Sequence, residues 1–140
     1  MADEATSLYR EAILRHARDT RHTGRVERPS HKGSAQNPLC GDELELSVAL
    51  EGDVIREIKV QVRGCLISQA AASMMSEAVQ GLPLAAAQAL GERFRAAMEQ
   101  GQGDLPEALA ALRPLLEVRR HRSRIRCTLL PWEPLLTFPA

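Results

Sequence analysis

Leu44-Glu45-Leu46-Ser47-Val48-Ala49-Leu50-Glu51-Gly52-Asp53-Val54-Ile55-Arg56-Glu57-Ile58-Lys59-Val60-Gln61-Val62 is the stretch on which the fold turns. Leu44, Leu46, Val48 and Leu50 alternate with Glu43, Glu45 and Ser47, the period-two pattern of a half-buried strand. Glu51-Gly52-Asp53 supplies turn chemistry, and residues 54–62 follow as a second, β-branched strand. Together they predict an antiparallel hairpin with one buried face.

Working outward, residues 5–19 read as an amphipathic helix, with Leu8, Ala12, Ile13, Leu14 and Ala17 inward and Arg10, Glu11, Arg15 and Arg18 outward. Residues 20–39 are polar and carry Gly24, Pro29, Gly33 and Pro38, which predicts a loop with one short edge strand over 24–28. On the other side, Gly64-Cys65 ends the hairpin, and residues 68–80 form a helix rich in Ala and Met, closed by Gly81. Pro83 opens a further helix that runs to about Gln100, before a flexible break at Gly101-Gln102-Gly103. A helix follows over 106–118, kinked or ended early by Pro114. Residues 119–126 are dense in arginine, and after Cys127 a short final helix or turn carries Trp132, Leu135 and Leu136. The order predicts an α+β fold in one domain over 1–140: a small antiparallel sheet, the hairpin plus an edge strand, packed with helices on one face.

Composition narrows the function classes. The chain has 140 residues and 44% apolar residues, enough for a core without disulfide staples. Formal net charge is zero, so whole-molecule attraction to nucleic acid or anionic lipid is not expected. No apolar run approaches the ~18 residues of a membrane span. Residues 1–10 include Asp3 and Glu4 and lack the apolar core of a signal peptide, which points to the cytoplasm. Three cysteines would leave one stranded in a disulfide framework; in a reducing compartment, spaced cysteines are more often metal ligands or reactive thiols.

Cys40-Gly41-Asp42 sets a thiol and a carboxyl two positions apart across a glycine, and they converge if the loop turns sharply. This loop lies just before the first hairpin strand, and Gly64-Cys65 just after the second. The start of one antiparallel strand neighbours the end of its partner, so the hairpin brings Cys40 and Cys65 to one end of the sheet. Periodicity does not place Cys127. If it joins, the site offers three sulfurs and one oxygen, a set that tetrahedral zinc accepts, while iron–sulfur clusters also take thiolates. Three unrelated buried cysteines are the other reading of the spacing.

Three motifs then carry a resemblance. Asn37-Pro38-Leu39-Cys40-Gly41-Asp42 resembles the first cysteine motif of the IscU/NifU/SufU family of iron–sulfur cluster assembly proteins. Gly64-Cys65-Leu66-Ile67-Ser68, continuing through Ala70, Ala72, Ser73, Met74 and Met75, resembles the second. Arg124-Ile125-Arg126-Cys127-Thr128-Leu129, with Trp132 following, resembles the third as the SufU branch writes it. Leu8-Tyr9-Arg10, Ile13 and Gly24 are similar to the family's opening helix and the glycine after it. Arg126 stands where the IscU branch has a histidine, and that branch's chaperone-recognition segment is missing. The long stretch between Cys65 and Cys127 also resembles SufU, although it is shorter and richer in alanine. Arg122-Ser123 replaces a Phe-Pro pair and Glu133 replaces a lysine, departures that bear on a docking surface rather than on the ligands.

The resemblance implies a zinc-dependent sulfur acceptor serving a SufS-like cysteine desulfurase, with possible hand-over to downstream cluster-assembly proteins. Its zinc ligands would be Cys40, Asp42, Cys65 and Cys127, and Cys40 would take the sulfur. Whether such a sulfurtransferase-type acceptor counts as an enzyme stays open. The alternative is a scaffold that assembles a [2Fe–2S] cluster on the same residues. A structural zinc module is a third reading, against which the Asp42 ligand argues, since structural sites are mostly built from Cys and His. Cys127 is expected at or near the start of the final helix, where the helix N-terminus would favour a thiolate.

Other residues read more plainly. His121 and His31 are expected to be solvated, and His16 and His22 carry no pattern. Met74 and Met75 are helix core, and Trp132 anchors packing against the sheet or first helix. Arg119, Arg120, Arg122, Arg124 and Arg126 form a solvated loop or a dock for an acidic partner, while Arg124 is also placed to pair with Asp42 or a thiolate when metal is absent. With four aromatic residues in the chain, nucleic-acid stacking is not expected.

Overall fold

The computed structural model describes residues 2–101 and 104–140, with side chains from Tyr9 onward. Gln102 and Gly103 of the expected break, and the Leu8 side chain, lie outside what is described. The chain runs α1 (Ala2–Ala17), β1 (His31–Asn37), β2 (Asp42–Glu51), β3 (Val54–Arg63), α2 (Leu66–Val79), α3 (Leu84–Gln100), a 3₁₀ stretch (Glu107–Arg120), α4 (Arg122–Leu129) and α5 (Trp132–Thr137). The α+β expectation holds: a three-stranded antiparallel sheet in the order β1-β2-β3, packed with helices.

The hairpin is built as its alternation predicts. Leu44 pairs with Val62, Leu46 with Val60 and Val48 with Ile58, and the loop is the two-residue Gly52-Asp53. Between Ala49/Leu50 the register shifts, with Ala49 opposite Glu57 and Leu50 opposite Ile55. Arg56 is therefore an extra residue in β3, and this bulge lets Ile55 and Ile58, three positions apart, both face the core.

The edge strand exists, but not at 24–28. It is β1, residues 31–37, where half-buried and exposed positions alternate. Its inward residues include Gly33 and Ala35, too small to write an apolar alternation. Near the expected position, Thr23 makes a single parallel bridge to Val60 on the outer edge of β3, with Gly24 N–H donating to Val60 O at 2.9 Å, and Val26 N–H then donates to Ser47 Oγ at 2.9 Å.

α2 is the central helix. Residues 70 to 76 are all buried, Met74 and Met75 among them, because α1, β3, α4 and the 3₁₀ stretch pack around it. One apolar cluster runs from Ile13 to Phe138. Three other expectations need correction. The segment over 106–118 is 3₁₀ rather than α, since Pro114 gives no N–H to an α ladder. The arginine-dense stretch is not a loop: Arg119 and Arg120 end the 3₁₀ stretch, and Arg122, Arg124 and Arg126 lie exposed on the helix α4. Trp132 packs on α3, which the sequence reading did not name, with its ring 5.8 Å from that of Phe94.

Candidate metal centre

Cys40 sits in the turn between β1 and β2. Its N–H and that of Gly41 both donate to Asn37 O, at 3.1 and 2.9 Å. Gly41 takes φ of +74°, the left-handed region that glycine enters without steric cost, so the sharp turn expected of Cys40-Gly41-Asp42 is present. Asp42 opens β2 and points inward, only 1% exposed. Cys65 follows β3 as the N-cap of α2, where its Sγ accepts from Ser68 N–H at 3.5 Å.

These elements bring the four residues into one cluster. Cys40 Sγ lies 3.5 Å from Cys127 Sγ, and Cys65 Sγ lies 3.4 Å from Asp42 Oδ2. Ligand atoms of Cys40, Asp42 and Cys127 all fall within 4.8 Å of one another. Cys65 lies just outside that trio and joins through Asp42. A tetrahedral centre with Zn–S bonds of about 2.3 Å has S···S edges of roughly 3.8 Å. The cluster is close to that size, and three sulfurs with one carboxylate oxygen suit such an ion.

Cys127 needs a correction in its surroundings. It lies in the last turn of α4, two residues before Leu129, and not at the start of a helix. That favourable end belongs to Cys65 at the start of α2, where the aligned peptide dipoles favour negative charge. Cys127 is 1% exposed. Burial first, and then Cys40, Cys65 and Asp42 around it, pushes its thiol well up. A cation placed among these groups would reverse that balance.

Burial works against the Asp42 charge, but hydrogen bonds outweigh it and hold its carboxyl below the usual range. Ser68 Oγ donates to Oδ2 at 2.6 Å and Cys65 N–H to Oδ1 at 2.9 Å. Arg124 does not contribute: it is exposed on α4, and among the described residues no cation pairs with Asp42. Gly64 admits the carboxylate, because a Cβ there would lie 2.7 Å from Asp42 Cγ.

Sequence reasoning gave no role to Asn37, Ser68 or this close approach at Gly64. Signals were present. Asn37 precedes Pro38 by one position and makes an Asx turn, Oδ1 accepting from Leu39 N–H at 3.3 Å. Ser68 stands three residues after the N-cap, where a side chain can serve a helix start. Among the histidines, His121 is exposed as expected. His31 is half-buried and stacks on Phe138 at 5.2 Å. His16 is buried against Ser73 and Glu77. His16, Asp19 and Glu77 also cluster within 4.8 Å, but Arg21 already meets that charge, 2.7 Å from Asp19 and 3.5 Å from Glu77.

With this geometry established, comparison with known proteins identifies the family. The profile of the NifU-like N terminal domain matches residues 8–112, three quarters of the chain, including Cys40, Asp42 and Cys65. The chain belongs to the NifU-like N-terminal domain family. This NifU-like chain is 33% identical over 129 residues to a zinc-dependent sulfurtransferase SufU of Bacillus subtilis (strain 168), covering 92% of this chain and 87% of that protein. It is 29% identical over 128 residues to an iron–sulfur cluster assembly scaffold protein IscU of Thermotoga maritima, covering 91% of this chain and 89% of that one. The crystal structure of a putative iron–sulfur cluster assembly scaffold protein for the SUF system, from Fervidobacterium islandicum AW-1, superposes with a TM-score of 0.81. Its sequence is 28% identical, with 89% of this chain and 91% of that chain covered. Among the described residues no helix is long and apolar enough to cross a membrane.

Proposed function

We propose that this chain is a zinc-dependent sulfur acceptor serving a SufS-like cysteine desulfurase in iron–sulfur cluster assembly, with residues 1–140 acting as one domain. The metal ligands in this reading are Cys40, Asp42, Cys65 and Cys127. One observation carries it: Cys40 is exposed, yet its sulfur lies 3.5 Å from that of buried Cys127. A thiol that is both part of the cluster and open to a partner suits an acceptor. The relative from Bacillus subtilis, named for zinc-dependent sulfur transfer, supports the same reading.

Bound zinc would hold its cysteine ligands as thiolates at neutral pH. The chain's own residues do the rest. Ser68 and the Cys65 N–H orient Asp42, and burial withholds Cys127 from a partner. Cys40 Sγ attacks the outer sulfur of the desulfurase persulfide. A new S–S bond forms on Cys40, the S–S bond on the desulfurase breaks, and the desulfurase cysteine leaves as a thiolate. Leu39, 86% exposed, and Leu66, 44% exposed, adjoin Cys40 and Cys65 in the chain and offer a docking partner an apolar rim. Neither nucleic acid nor membrane enters this reading, and hand-over would be to cytoplasmic cluster-assembly proteins.

The scaffold reading, with a [2Fe–2S] cluster as cargo on the same four residues, is supported by the IscU relative from Thermotoga maritima. Arg126, where that branch has histidine before the third cysteine, favours the acceptor. Alanine release by a cysteine desulfurase from the same cell separates them. Wild-type protein should raise the rate, because the acceptor clears a persulfide that otherwise stalls turnover, and Cys40→Ala should abolish the rise. Asp42→Ala should purify without oxygen as a colourless, zinc-poor protein. A stable [2Fe–2S] spectrum in Asp42→Ala, with no stimulation by wild type, would establish the scaffold instead.

A further inference from the structure

Asn37 is the last residue of β1, paired in register with Asp42, and none of it is exposed. Its Oδ1 accepts from Leu39 N–H at 3.3 Å, which fixes which end of the amide is nitrogen. Nδ2 is thereby aimed at the thiol cluster, 3.2 Å from Cys40 Sγ and 3.9 Å from Cys127 Sγ. A buried amide with unmet donors is costly, and among the described residues these two sulfurs are its acceptors. The amide thus spans two cysteines 87 positions apart in the chain, with the shorter contact to the exposed one.

We propose that Asn37 is a positioning residue that selects Cys40 as the exchangeable thiol of the cluster. An N–H donor draws charge from a sulfur, so a thiolate that accepts it holds a metal less tightly. The nearer contact puts this effect on Cys40 more than on Cys127. The same contact keeps the Cys40 sulfur beside the cluster once it is released. Cys65, by contrast, receives its donor from the start of α2 at 3.5 Å and is held by the hairpin end. The inference rests on the metal reading above and adds to it the choice of one thiol among three.

Two variants that lose the donors test it. Asn37→Asp keeps an oxygen to accept from Leu39 N–H and so retains the turn; Asn37→Leu removes the donors without adding charge. Each is loaded with cobalt to read the sulfur-to-metal charge-transfer band. Each is also loaded with zinc to read iodoacetamide labelling of Cys40 by peptide mass spectrometry. Losing the donors should move the band to longer wavelength in both variants and slow Cys40 labelling, about tenfold on the scale of second-shell substitutions. A role confined to packing would loosen the site, and Cys40 would label faster. Faster labelling, or a band unmoved in both variants, overturns the inference while wild-type metal binding still stands. Wild type that binds neither ion overturns the metal reading and this inference together.

Discussion

At the scale of single residues, two glycines shape the cluster in different ways. Gly41 supplies a backbone angle, φ of +74°, that lets Cys40 and Asp42 converge across a turn. Gly64 supplies space. A Cβ at position 64 would sit 2.7 Å from Asp42 Cγ and 2.9 Å from its Cβ, well inside ordinary contact. Gly64→Ala should therefore push Asp42 away from the Ser68 hydroxyl and the Cys65 N–H. Since supports of this kind are worth about 10–100-fold in metal affinity, the variant should purify with clearly less than one zinc per chain by elemental analysis. Full zinc content in Gly64→Ala would remove Asp42 from the ligand set or show that it has another way in. In the sequence the glycine was legible as the end of a strand and as part of the second cysteine motif, but not as a space. Its steric role depends on a carboxylate 22 positions earlier, which local patterning does not see.

At the scale of elements, α1 docks on α2 through a buried histidine that showed no pattern in the sequence. His16 Nδ1 lies 3.4 Å from Ser73 Oγ and 3.9 Å from Glu77 Oε2. Burial lowers the His16 pKa from its ordinary value of 6.5; Glu77 and Asp19 oppose the shift, while Arg15 and Arg21 add to it. The folded chain thus holds this proton more weakly than the unfolded chain. As pH falls through 6.5 the unfolded state takes up a proton that the folded state resists, so stability drops on the acid side and is whole above it. Thermal unfolding from ~pH 7.5 to ~pH 5.5 should show a falling midpoint in wild type and a shallower fall in His16→Gln. Parallel slopes for the two proteins would assign the acid sensitivity to other groups.

At the scale of the whole molecule, the cluster joins segments far apart in the chain: the β1–β2 turn, the β3–α2 junction and α4. An ion held there would bind the folded chain and not the unfolded one. With free zinc at about 100 times its dissociation constant, mass action contributes roughly 2.7 kcal/mol. For a chain of 140 residues that corresponds to a midpoint shift on the order of 10 °C. Chelation of the zinc-loaded protein should lower the calorimetric midpoint by about that amount, and re-addition of zinc should restore it. A midpoint indifferent to zinc in wild type, and equal to that of Cys127→Ser, would show that these segments are not tied by metal.

The sequence by itself determined the hairpin, the central helix and the glycine turn, because each is written in short-range terms: period two, an apolar helix closed by Gly81, a glycine between Cys40 and Asp42. It also brought Cys40 and Cys65 to one end of the sheet, since hairpin partners are neighbours by construction. It misplaced the edge strand, because His31–Asn37 faces the core with residues too small to mark a strand, and it read the arginine run over 119–126 as loop, because the exposed arginines mask the helical turns beneath them. Only the tertiary structure decided where Cys127 goes and which thiol enjoys a helix N-terminus. A residue 87 positions from its partner arrives through the packing of α4 on α2, a contact set by the shape of the core and not by any local repeat.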